Sequence, residues 1–476
     1  MRRPSRARLI RETARIRREQ SLFYYGAWHP HWSWVPGTMT RREALALLFS
    51  TPFIGNITTL AQASDLTSLT IAEASRRLAA RSITPLQLTD AYLRRIAPTN
   101  KTINAYVTVT ADLARREAKS LRDPKGPLWG IPIAHKDLFE TKGVRTTAGS
   151  RLFDQNVPGD NAAIVQHFED AGAVMLGKTN THELGGGVTT NNPFYGTTRN
   201  PADQTRIPGG SSGGSAAAVV AHLCAAATGS DTGGSVRIPA ALCGCVGFKP
   251  THGKFSTRGL IAASPTFDHV GFLTRTVEDM QIFTGLPAAK PAPLRGIAVA
   301  RNYFFDALDP AVASAINTVL PAKFPSIDFP IDSRTMSRIF DPVFSFEMWG
   351  RFGADWRTNP GSFSKDLAAF FSIPRPSIAA YEDGLAALKE YQAAVDKLFD
   401  HVDVIITPTV PITAPPIAGF IDGMNILRNT WPFNAAGTPA ISIPRHTSGL
   451  PVGLQLIARR GNDDLLLQVA RTFTAP

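Results

Sequence analysis

Ser235 follows two glycines in the run Gly229-Ser-Asp-Thr-Gly-Gly-Ser-Val-Arg-Ile-Pro239. With no side chains at Gly233 and Gly234, backbone N–H groups can come close to a bound carbonyl. A serine hydroxyl beside several such donors is what acyl transfer needs: a nucleophile, and a nest for the oxyanion formed on attack. A second run, Gly209-Gly-Ser-Ser-Gly-Gly-Ser215, lies upstream. Further upstream, Lys136 stands in the apolar run Trp129-Gly-Ile-Pro-Ile-Ala-His-Lys-Asp-Leu-Phe139. A lysine is a base only when neutral, so its pKa must fall toward ~7–8. Burial beside Ile131, Ile133 and Ala134 disfavours the ammonium and does this. Asp137 opposes the shift if its carboxylate points the same way. Taken singly, each feature has a plainer reading. A lysine in an apolar run usually snorkels to the surface, and Gly209–Ser215 alone reads as a flexible loop or an anion nest.

The Gly209–Gly213 segment also satisfies G-x-S-x-G, and His135, His269 and Asp268 supply the other members of a Ser-His-Asp set. Such an elbow needs a strand just before it. Thr205-Arg-Ile-Pro208 reads as loop, which disfavours the histidine-based site. No metal-ligand spacing and no phosphate- or dinucleotide-binding fingerprint appears, so neither metal nor cofactor is expected. Three cysteines, Cys224, Cys243 and Cys245, make no disulfide framework, and one Cys-X-Cys lacks the second pair of a zinc site. They read as core residues.

The elements that must position these residues alternate. Thr70 with Glu73 makes a capping box for a helix through Ala80. Thr84-Pro85 is an N-cap with proline at N1, starting a helix through Ile96. Residues 111–121 read as a third helix. Short β-like runs at Ile131–His135 and Ala173–Leu176 then alternate with helical stretches at Ala162–Ala171 and Ser215–Ala226, which predicts a sheet with helices on its faces. Ile378–Phe399 reads as a long helix, Val402–Ile406 as a buried strand, and Thr407–Pro416 as a proline-rich connection. No internal repeat and no clean linker follows residue 64. The expectation is an α/β fold over residues 64–476, one large domain with a central mixed β-sheet flanked by helices.

At 43% apolar the chain can bury a full core. Its +12 charge suggests nucleic acid or acidic lipid, but the placement argues otherwise. Residues 1–38 carry eight arginines against two glutamates, and residues 39–63 two arginines against one glutamate. Only five of the twelve charges remain after residue 63, and no basic groove is indicated. Residues 1–38 read as a basic, unstructured extension. Arg41-Arg42, the apolar run Ala44–Leu60 and the small-X-small pattern Leu60-Ala-Gln-Ala63 read as a twin-arginine export signal over residues 39–63. Such a signal belongs at a chain start, so residues 1–38 are expected to come from a start codon placed too early. The run is too short and mixed for a stable membrane span.

Together these motifs resemble the amidase signature family of serine hydrolases. The two serine runs match its signature, with Ser211 and Ser235 separated by 24 residues and Lys136 and Ser211 by 75. Further matches are Gly177-Lys-Thr-Asn180, Tyr195-Gly-Thr-Thr-Arg-Asn-Pro201, Cys243-Gly-Cys-Val-Gly-Phe-Lys-Pro-Thr251, Pro432-Phe-Asn-Ala-Ala-Gly-Thr-Pro-Ala440 and Gly449-Leu-Pro-Val-Gly-Leu-Gln-Leu456. The resemblance spans residues 66–472 and is weakest over 290–400. It implies the amidase signature fold and a Ser-Ser-Lys triad: Ser235 as nucleophile, Ser211 as proton relay, Lys136 as base. It also implies a cis peptide before Ser211, at Gly210, and an oxyanion hole from the N–H groups of Thr232, Gly233, Gly234 and Ser235. Asp231 and Arg237 are expected to brace this loop.

The function expected is cleavage of a carboxamide to an acid and ammonia or amine, through an acyl-enzyme on Ser235. One alternative is the amidase subunit of a tRNA-dependent amidotransferase; another is an amidase-like protein used only for binding, disfavoured because all three triad positions are filled. Expected partners are a small-molecule amide, a second copy of the chain and the twin-arginine machinery, without nucleic acid. The location is outside the cytoplasm if the signal is used, and cytoplasmic otherwise. The pocket walls are expected from 290–400 and Ile421–Trp431, with Phe346, Trp349, Phe371 and Trp431 as candidates for an apolar acyl pocket.

Overall fold

The computed structural model describes residues 65–289, 294–320, 324–419, 421–445 and 449–474. The basic extension, Arg41-Arg42 and the Leu60–Ala63 pattern lie outside the described residues. The helices begin where their caps predict. Thr70 Oγ1 accepts the Glu73 N–H at 3.1 Å and starts the helix Ile71–Ala79. Thr84 and Gln87 exchange both bonds of a capping box before Pro85–Ile103. This second helix runs seven residues past the expected end at Ile96 and carries Pro98 inside it. Its buried residues Leu88, Tyr92, Leu93, Ile96 and Ile103 fix it to the core, so packing outweighs the proline.

Eleven strands form one mixed sheet among the described residues. In chain order they are β1 Tyr106–Val109, β2 Pro132–Lys136, β3 Val174–Thr179, β4 Ala226–Asp231, β5 Val246–Lys249, β6 His269–Thr274, β7 Ile297–Ala300, β8 Ser326–Ile327, β9 Val404–Pro408, β10 Ala440–Arg445 and β11 Val452–Ala458. Their order across the sheet is β1-β3-β2-β4-β6-β5-β10-β11-β9-β7-β8. β3, β2 and β4 are mutually parallel, as are β9, β7 and β8; the remaining pairs are antiparallel. Every residue of β2, β3, β4, β5, β6, β9 and β11 is buried. This is why these strands read as continuous apolar or small-residue runs and not as alternation: both faces are covered. The result is a single α/β domain, a large mixed sheet flanked by helices.

One element differs from expectation in kind. The Ala-rich stretch 215–226 is not one helix. The helix Gly213–Val220 stops, His222 takes φ +58°, and Ala226 opens β4. The strand expected at Val402–Ile406 lies at Val404–Pro408, so it takes in the first proline of the supposed connection as its last residue.

Candidate active site

Lys136 ends β2 and Asp231 ends the neighbouring parallel strand β4. Both therefore stand at the carboxyl edge of parallel strands, where open α/β sheets hold their ligands. Ser211 sits on the loop before the helix Gly213–Val220, and Ser235 on the turn between β4 and the helix Arg237–Cys243. The Gly210–Ser211 peptide is cis. Lys136 Nζ donates to Ser211 Oγ at 2.7 Å and to Ser230 Oγ at 2.9 Å. The Ser212 N–H donates to the Ser235 carbonyl at 3.0 Å and holds the two serine loops side by side. Lys136, Ser211 and Ser235 are all buried.

Ser230 is a residue that reading the sequence missed. A serine inside Gly229-Ser-Asp is chemically unremarked on its own. The usable signal is its place on the strand beside that of Lys136, one residue before Asp231.

The turn after Asp231 is clamped from several sides. Asp231 and Arg237 form an ion pair at 2.9 Å with neither side chain exposed. Asp231 Oδ2 also accepts the N–H groups of Val236 (3.1 Å) and Arg237 (3.4 Å). Asn434 Nδ2 donates to the Asp231 carbonyl and carboxylate, both at 2.8 Å. Gln455 Oε1 accepts from Arg237 Nη1 at 2.8 Å, and Thr430 Oγ1 donates to the Gly233 carbonyl at 2.7 Å. Thus Asn434 and Gln455, from two motifs far along the chain, converge on the turn that carries Ser235. Among the described residues, the N–H groups of Gly233, Gly234 and Ser235 donate to no protein acceptor, although all three residues are buried. Buried N–H groups are nearly always paired, so three without an acceptor on one turn beside a serine suit an oxyanion. Gly234 is required here twice over: its φ is +139°, and a Cβ would lie 2.1 Å from Thr430 Oγ1.

Burial is the dominant influence on Lys136 and lowers its pKa to about 7, while Asp231 and Asp268 pull in the other direction. Asp137, the neighbour suspected of opposing this shift, does not take part. Successive residues on a strand face opposite ways, and its carboxylate accepts from the Thr147 N–H at 3.0 Å and hydroxyl at 2.5 Å, 3.7 Å from Lys178 Nζ. Asp231 stays ionised: burial raises its pKa, but Arg237, Lys249 and Asn434 together hold it well below the ordinary carboxylate range.

The histidine-based alternative is not assembled. His135 Nδ1 meets Thr228 Oγ1 at 3.2 Å, and His269 Nδ1 meets the Phe267 carbonyl at 2.7 Å. Burial lowers His135 to about 3 and holds His269 well below its ordinary value. Asp268 takes the Thr232 hydroxyl at 2.5 Å. Pro208 and the residues before it are loop, so the G-x-S-x-G match lacks its strand.

The candidate acyl-pocket aromatics separate. Phe346 stacks on Tyr381 at 4.3 Å, and Trp349 meets Phe371 edge-on at 5.2 Å, within the helical layer. Trp431 lies by the turn instead: a Cβ at Gly233 would meet Leu427, Phe340 and Trp431 at 3.1–3.7 Å. Cys224, Cys243 and Cys245 are free and buried, and burial pushes their thiols up. Among the described residues, no group of three or more His, Cys, Asp or Glu could hold a metal, and no helix is long and apolar enough to cross a membrane.

Comparison with known proteins gives the family. The family model described as Amidase matches residues 87–290 and 371–467. A curated relative from Methylococcus capsulatus, one of the subunits of glutamyl-tRNA(Gln) amidotransferase, is 33% identical over 85% of this chain and 96% of its own length; further curated relatives carry the same name. A solved structure described as an amidase superposes with TM-score 0.78 at 30% identity, covering 85% of this chain and 98% of that one. The corresponding glutamyl-tRNA(Gln) amidotransferase subunit from Thermotoga maritima superposes with TM-score 0.72 at 30% identity, covering 87% and 96%. The expectation of a chain without nucleic-acid partners draws no support from relatives named for a tRNA. The chain belongs to the amidase signature family, enzymes acting on amide C–N bonds.

Proposed function

We propose that this chain cleaves a carboxamide C–N bond by acyl transfer to Ser235. Neutral Lys136 takes the Ser211 proton as Ser211 takes that of Ser235, and Ser235 Oγ attacks the carbonyl carbon. The negative oxygen is held by the N–H groups of the 232–235 turn. The relay then returns the proton to the departing nitrogen, and water releases the acid by the same steps. The observation that carries this reading is the 2.7 Å contact between Lys136 Nζ and Ser211 Oγ in a fully buried setting that lowers Lys136 to about 7. It is tested by comparing turnover in Ser235→Ala, Ser211→Ala and Lys136→Ala with that in the two histidine variants, His135→Ala and His269→Ala.

The curated relatives favour the amidase subunit of a tRNA-dependent amidotransferase over a free-standing hydrolase, since the match runs over 96% of such a subunit. The free-standing reading fits the proposed export signal at Arg41-Arg42 and Leu60–Ala63, because an exported chain does not meet tRNA. Ammonia release from simple amides by the purified chain alone decides for the hydrolase. Release only with tRNA, ATP and partner subunits decides for the amidotransferase. Sequencing the native N-terminus tests export: a start near Ser64 supports it, and an intact Met1 opposes it.

A further inference from the structure

The turn that carries Ser235 offers few side chains by which it can be held. Gly233 and Gly234 have none, and Ser235 is the proposed nucleophile. Thr232 is the remaining grip, and its hydroxyl donates to Asp268 Oδ1 at 2.5 Å. The other carboxylate oxygen accepts the N–H groups of Ala263 and Ser264, both at 2.9 Å. Asp268 immediately precedes β6, whose first residue His269 pairs in register with Asp231 at the end of β4. The contact therefore lies one step beyond the end of a ladder, where the sheet fixes both partners. The strap that holds Asp268 is itself anchored. Glu347, on the helix Thr335–Thr358, accepts from the Ser264 hydroxyl, from Thr266 Oγ1 at 2.5 Å and from Tyr381 at 3.2 Å.

Resting on the oxyanion role given to residues 232–235, we propose that Asp268 is a positioning residue for amide cleavage: it grips the Thr232 hydroxyl and so fixes the peptide units that face the reacting carbonyl.

The residue type supports this. A buried carboxylate is costly, and among the described residues Asp268 has no ion-pair partner within 4.0 Å. A neutral side chain could hold a loop at lower cost. The charged groups coupled to it are Glu347 from the helix and Lys136 from β2. Burial, the main influence, raises Asp268 to about 6, and Glu347 adds to this. As a carboxylate it accepts all three bonds at once. Its charge also favours the ammonium that Lys136 becomes when it takes the proton.

The test needs no natural substrate. The full chain is inactivated with a serine-directed fluorophosphonate, whose P=O oxygen would occupy the oxyanion position, and kinact and KI are measured against pH. Wild type is compared with Thr232→Val, Asp268→Asn and the double variant, with folding checked by circular dichroism. Thr232→Val keeps the branched shape and serves if Asp268→Asn does not fold. Each single change is expected to lower kinact about tenfold or more with KI little changed, because misplacing the donors costs rate and not affinity. The double variant is expected to fall no further than the worse single one. Asp268→Asn removes a charge that favours the Lys136 ammonium, so its acid limb moves to lower pH; that of Thr232→Val stays in place. Unchanged kinact in Thr232→Val, or additive losses in the double variant, overturns the proposal while leaving Ser235 as nucleophile. A wild-type label on another residue overturns the reading of the site itself.

Discussion

Arg237 and Asp231 meet at 2.9 Å inside the protein with both side chains fully buried. Asn434, Gln455 and the Thr430 carbonyl complete the arginine's hydrogen bonds. The pair closes the turn that carries Ser235 at its base, between the end of β4 and the helix Arg237–Cys243. Removing one partner leaves the other as an uncompensated buried charge, which costs about 3–5 kcal/mol. Arg237→Met should therefore lower stability by about that amount in urea unfolding, and inactivate the protein even where it remains folded. A loss below about 1 kcal/mol would mean that the pair behaves like a surface ion pair and does not hold the turn.

Lys136 predicts the pH dependence of acylation. Burial lowers its pKa to about 7. The base is the neutral amine, so its active fraction rises with pH and is half-formed near that value. The rate of acylation should climb through pH 7 and level off above it, with no requirement for a group titrating near the ordinary lysine value. A rate that follows protonation of a histidine, or keeps climbing toward the ordinary lysine pKa, contradicts the assignment.

Gly234 and Gly143 make a controlled pair. Both have positive φ, +139° and +69°. A Cβ on Gly143 meets nothing within 4 Å, whereas one on Gly234 lies 2.1 Å from Thr430 Oγ1. Gly143→Ala should cost about 1 kcal/mol and leave turnover near wild type, because φ near +69° is open to other residues at modest strain. Gly234→Ala should cost more and nearly abolish turnover, since the alanine cannot hold that backbone beside Thr430. Equal costs for the two would show that close approach at Gly234 does not matter.

Much of this was legible in the sequence because the decisive signals are local. Gly-Gly before Ser235 announces a turn with free N–H groups, and Thr84-Pro85 announces a helix start. What was not legible depends on partners far away. The helix from Pro85 continues past Ile96 through Pro98 because Ile103 is buried against the core. The Ala-rich stretch breaks at His222, in a left-handed conformation that nothing in an alanine run marks. Ser230 and Asp268 face the site only because β4 and β6 pair beside β2, and Asp268 looked like a histidine's partner because it precedes His269. The side chain of Asp137 could have been turned away on paper, since neighbours on a strand face opposite sides. The aromatics of 335–372 could not be sorted by inspection, because helical-layer contacts decide which of them turn inward.

The most direct measurement of the central claim is to label the protein with a fluorophosphonate and map the modified peptide in wild type, Lys136→Ala, Ser211→Ala and His269→Ala. The label should fall on Ser235. Lys136→Ala should slow labelling by about ten-thousandfold, since nucleophile and base act as a unit. Ser211→Ala should be severe but retain more, with water relaying the proton, and His269→Ala should label at nearly the wild-type rate. A label on Ser211, with His269→Ala as inert as Lys136→Ala, would show that the histidine-based site operates and that the Lys136–Ser211–Ser235 assignment is wrong.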